Sequence, residues 1–125
     1  MILVTNRDER IKELEKELYN LRCEQQKQRE EDLKKYVGKY FYDKVNESLI
    51  KVIKSSNYND YEFYTIELFY EGSDDDYEDY KKVYFGYEWY SKTLIDARYK
   101  EIDKTQVKNI CTKFINEIYK IFLEG

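Results

Sequence analysis

The chain has 125 residues, 38% of them charged, a net charge of −4, fifteen tyrosines, no histidine and no proline. That length suits one small domain with an appendage, and 18% aromatic content is more apolar bulk than a disordered chain carries. The absence of histidine removes the commonest acid–base and metal-ligand side chain, and no P-loop, GxGxxG or nucleophile–base pair replaces it. Composition therefore points to a non-enzymatic protein that needs no metal and no cofactor.

Residues 6–36 read as one helix. Asn6 and Glu9 have capping-box spacing. Ile11, Leu14, Leu18 and Leu21 then recur at 3-4-3 spacing, the a/d seam of a coiled coil, and the register continues onto Gln25 and Gln28. So narrow a stripe is marginal as an isolated helix in water. It needs a cover, either its own β-domain or further copies of itself. Self-association is expected, with a dimer as the default because two-fold assemblies are commonest. Residues 1–37 form this oligomerisation helix, and 38–125 an aromatic-rich domain.

Gly38 marks the helix exit. Five strand-like runs follow at 39–45, 49–54, 61–70, 80–90 and 94–102, with short connections that favour an antiparallel meander. Gly86 inside the fourth run suggests a bend or bulge, and the sheet is either open or closed into a small SH3-like barrel. In the fourth run Val83, Phe85, Tyr87 and Trp89 line one face, with Tyr84 and Tyr90 on the other. Tyr64, Ile66, Leu68 and Tyr70 share one face of the third. Both strands are thus apolar on both sides, so the second face needs a cover of its own. Asp103 and Gln106 open a final helix whose stripe of Val107, Ile110, Cys111, Phe114, Ile118, Ile121 and Phe122, widened by Ile115 and Tyr119, is expected to lie on the sheet as core. The fold class is α+β.

Two surfaces are candidates for partner contact. Residues 71–79 hold six acids and no base. Asp74, Asp76 and Glu78 have calcium-loop spacing, but Asp79 stands where that loop needs glycine and Phe85 where it needs its last acid. Asp74, Asp75, Asp76, Glu78 and Asp79 are then a solvated hairpin loop, a contact imitating phosphate charge, or an adventitious cation site. The second surface is aromatic, with Tyr84, Trp89 and Tyr90 foremost. Acidic groups among the neighbouring lysines give no reason to bind long nucleic acid, whereas a small nucleotide needs only stacked rings and a cation or two. Cys23 and Cys111 lack CxxC spacing and fit reduced thiols in the cytoplasm. No apolar run is long enough for a membrane span.

The charged helix entering Tyr36-Val-Gly-Lys-Tyr-Phe41, the short aromatic strands and Glu101-Ile-Asp103 opening a last helix resemble small phage and prophage accessory proteins of low-GC bacteria. Gly38-Lys39-Tyr40-Phe41 is the motif-like piece. The resemblance implies a counter-defence role in the host cytoplasm, either covering a host immune protein or sequestering a nucleotide signal. Assembly support by oligomerisation alone is a third expectation.

Overall fold

The computed structural model describes residues 5–57, 59–71 and 82–124. Helix α1 (Thr5–Lys34) comes first, followed by strands β1 (Tyr40–Asp43), β2 (Ser48–Ser55), β3 (Phe63–Glu71) and β4 (Lys82–Tyr90). Helix α2 (Lys92–Arg98), strand β5 (Lys100–Ile102) and helix α3 (Lys104–Glu124) complete the chain. The α+β class expected from the sequence is the observed one.

The five strands form one antiparallel sheet in the order β4-β3-β2-β1-β5. Strands β1 to β4 are the meander; β5 departs from it by returning to the far edge beside β1. No ladder joins β4 to β5, so the sheet is open. The β3–β4 register runs unbroken past Gly86, which rules out the expected bulge there. Irregularity falls instead in β2, between Val52 and Lys54. The Tyr84 ring lies over Gly86, where a Cβ would meet its hydroxyl at 2.6 Å.

The other correction concerns 94–102. Only Lys100–Ile102 is strand, and Lys92–Arg98 is helical. Ser91 caps that helix by accepting from the Leu94 N–H at 3.1 Å, and Glu62 accepts from the Lys92 N–H at 3.1 Å. Two otherwise orphaned N–H groups are thereby satisfied. Lys92 and Asp96, one turn apart, add an ion pair.

Register assigns the faces. On one face Phe41, Ile50, Val52 and Phe63 form the core with Leu33 from the end of α1 and Ile95 from α2. Tyr36 stacks on Phe63 at 4.8 Å and gives its hydroxyl to Asp96 at 2.7 Å, tying the α1 exit to α2. Gly38 turns the chain at φ +83°, in the left-handed region that suits glycine, and donates to the Val52 carbonyl at 2.8 Å.

The opposite face meets α3. Its start matches expectation: Gln106 N–H donates to the Asp103 carboxylate at 2.8 Å, and Asp103 N–H donates to the Gln106 side chain at 3.0 Å. Asn6, by contrast, already lies inside α1, which includes Thr5, so it is not that helix's cap. Phe114 is the buried residue of α3 and stacks on Tyr70 at 4.3 Å. Much of the remaining stripe is open, with Ile115, Tyr119, Ile121 and Phe122 all exposed. The expectation that this whole stripe is core holds for Phe114 and not for these four.

Candidate functional site

The stem α1 is the first candidate. Ile11, Leu14, Leu18 and Leu21 are 46%, 52%, 50% and 55% exposed. Gln25 and Gln28 continue the row, also exposed. Among the described residues, the C-terminal third of the helix meets its own domain, through buried Leu33 and a hydrogen bond from the Asn57 side chain to the Gln26 carbonyl at 3.3 Å. At about 100° per residue, Leu33 and Gln26 point roughly a quarter-turn away from the seam. The chain's own β-domain therefore does not cover the seam, which removes one of the two covers expected for it.

The second candidate is an aromatic ridge on the α3 side of the sheet, built by cross-strand register. Tyr64 lies opposite Trp89, and Ile66 opposite Tyr87. The Tyr64 ring stacks on Tyr87 at 5.8 Å and tilts against Trp89 at 5.1 Å. Lys54 stands over both Tyr64 and Trp89, its Nζ 5.1 and 5.7 Å from the ring centres. Tyr87 is exposed, Tyr64 and Trp89 half-buried. A cleft of about 620 Å³ adjoins the ridge, lined by Asn59, Asp60, Tyr61, Glu88 and Trp89.

The three aromatic residues singled out by sequence therefore separate. Trp89 belongs to the ridge. Tyr84 lies on the other face, tilted against Phe69 at 5.0 Å. Tyr90, half-buried, points to the other face, where it packs against the core and gives its hydroxyl to Glu67. Asp74, Asp75, Asp76, Glu78 and Asp79 lie outside the described residues. Sequence reasoning missed Tyr64 and Lys54 as members of the ridge, since only register brings them to Trp89.

Several buried polar groups are held by hydrogen bonds within the domain. Burial first, and then repulsion from Glu88, raises the Glu67 carboxyl above its usual range despite the Tyr90 hydrogen bond. Tyr90 is pushed far up by burial and by donating to Glu67. Tyr99 donates to Ser48 at 2.8 Å. Asp43, buried in the β1–β2 turn, accepts from the Val45 and Asn46 N–H groups at 3.0 and 3.2 Å, an Asx-type turn.

A third feature is an apolar groove of about 500 Å³ between α3 and the sheet, lined by Leu68, Val83, Phe85, Ile118, Ile121 and Phe122. Among the described residues no group of three or more potential ligands is placed to hold a metal ion, and no helix is long and apolar enough to cross a membrane. No family model, curated protein or solved structure matches the chain.

Proposed function

We propose that this protein is a self-associating, non-catalytic binding module. In this reading α1 is a stem that pairs with another copy, and the β-domain carries the contact surface, with the Tyr64–Tyr87–Trp89 ridge foremost. One observation carries it: four large aliphatic side chains in coiled-coil spacing stand about half exposed on a helix that, among the described residues, meets its own domain through its C-terminal third. Such a stripe is stable in water only when covered. Together with the resemblance to phage accessory proteins, the reading extends to a host protein as the partner whose surface is covered.

Light scattering tests the reading. The parent protein is expected to have a mass above that of one chain, and Leu14→Lys with Leu18→Lys is expected to return it to the mass of one chain without loss of the β-domain's thermal transition. A parent that stays monomeric at high concentration would end it.

A second reading is favoured by Lys54 over the Tyr64 and Trp89 rings. It has the ridge stack a planar, anionic ligand such as a nucleotide. Trp89 is the only tryptophan, so its fluorescence reports directly. Saturable quenching by a nucleotide, lost in Tyr64→Ala, supports this reading; no quenching across a nucleotide panel rejects it.

A further inference from the structure

The charges flanking the α1 seam carry an inference that rests on the self-association proposed above and adds direction to it. With Ile11 at heptad position a, the g positions are Arg10, Glu17 and Glu24, and the e positions that follow them are Glu15, Arg22 and Arg29. All six side chains are exposed, and none takes part in an ion pair among the described residues. In a parallel, in-register pair, each g residue of one helix faces the next e residue of the other. Arg10 then faces Glu15, Glu17 faces Arg22, and Glu24 faces Arg29. Every pairing joins opposite charges, and the two-fold axis repeats each one.

The antiparallel alternative that keeps the seam covered sets Ile11 against Leu21 and Leu14 against Leu18. It brings e beside e and g beside g, so Glu15 meets Glu15 and Glu17 meets Glu17 at the centre, while Arg10 meets Glu24 and Asp8 meets Arg22 farther out. Like charges at the centre are unfavourable, and only the parallel pair is free of like-charge contacts along this ladder. Ile11 at a with Leu14 at d also suits two parallel strands.

We infer that α1 docks on a second copy of itself as a parallel, in-register, two-stranded coiled coil. The paired region ends near Gln28, because beyond it Leu33 is buried in the chain's own domain. Two β-domains therefore emerge at the same end of one stem. A two-headed molecule of this kind presents two aromatic ridges to one partner, which raises avidity without any new contact.

The test uses the full chain with Cys23→Ser and Cys111→Ser as background. Gln25→Cys places a thiol in the seam, where a parallel in-register pair sets it against its own copy. After equilibration in a glutathione buffer, most of this variant is expected to run as a disulfide-linked dimer. Arg7→Cys mixed with Gln25→Cys reports the antiparallel pairing and is expected to give little mixed dimer. A dimer by light scattering that cross-links only in the mixture overturns the orientation and leaves self-association standing. A mass above two chains overturns the two-stranded form, and a monomer overturns both. Charge exchange gives a second reading of the same ladder. Glu17→Lys with Glu24→Lys is expected to weaken dimerisation at least tenfold, and so is Arg22→Glu with Arg29→Glu. Mixing the two variants is expected to restore a heterodimer. Two variants that dimerise as tightly alone as together would refute the ladder.

Discussion

Phe114 is the sharpest test of how α3 sits on the sheet. Its ring is 2% exposed and stacks on Tyr70 with an interplanar angle of 15°. Removing a buried phenylalanine ring costs about 3–5 kcal/mol, of which the stacked pair accounts for about 0.5–1.5 kcal/mol. Ile118, half-buried at the edge of the groove, should lose about 1–2 kcal/mol on truncation, part of the full burial value. A ceiling applies to both, because a helix that loses its docking detaches while the sheet survives. Phe114 is the buried residue of α3, and half-buried Val107, Ile110, Cys111 and Ile118 add to it, so the ceiling lies above the worth of this one ring. Urea unfolding at one fixed protein concentration, followed by Trp89 fluorescence and by ellipticity at 222 nm, reads both effects. Phe114→Ala is expected to lower the fluorescence midpoint by its full amount and to reduce the native helical signal. Ile118→Ala is expected to move the midpoint less and leave that signal intact. If Phe114→Ala unfolds within about 1 kcal/mol of the parent, with coincident probes, the helix does not rest on this ring and the packing argument is wrong.

Glu67→Gln should stabilise the protein at neutral pH. The folded-state value of the carboxyl is raised, chiefly by burial, so the folded state holds this proton more tightly than the unfolded chain. Its contribution is then most favourable below the ordinary carboxylate range and is lost as pH rises through the folded value. Glutamine keeps an acceptor for Tyr90 without the charge, so melting temperatures of parent and variant should diverge as pH rises; parallel curves would contradict the assignment. Gly38→Ala should cost about 1–2 kcal/mol through its left-handed backbone alone, because nothing lies within 4 Å of the added Cβ. Gly38→Asn should cost less, and equal melting of glycine and alanine forms would refute the strain argument. Asp103→Ala should lose about 1 kcal/mol by opening the α3 capping box, whereas an unchanged unfolding midpoint would show that the pair adds nothing.

What the sequence revealed follows the range of the interaction. The α1 seam, the Gly38 exit and the Asp103–Gln106 cap are local, and each was legible from residues a turn apart. Side-chain alternation placed Tyr87 and Trp89 on one face of β4. It could not bring Lys54 and Tyr64 to them, because pairing of β2 and β3 is a long-range matter. Helix α2 reads as strand in the sequence for two reasons. Seven residues are too few for a 3.6-residue period to declare itself, and its cap is shared between Ser91 and the distant Glu62. A wide apolar stripe showed that α3 has a face to cover but not how much of it the sheet reaches. Glu67 drew no reading from the sequence, because its burial comes from the core packing and Tyr90.

Cover of the α1 seam by another copy is the proposal on which the rest depends. Two helices bring together eight seam side chains, each already about half exposed, so each burial is worth roughly 1 kcal/mol. The cost of association must be subtracted from that gain, so the measurement belongs at high concentration, about 0.1 mM, where a complex of about −5.5 kcal/mol is half formed. Sedimentation equilibrium of the parent chain is expected to give an average mass clearly above 15.5 kDa that rises towards twice that value with concentration, and Leu14→Lys with Leu18→Lys to give that of one chain. A parent protein that remains at 15.5 kDa throughout, indistinguishable from the double variant, would contradict the account.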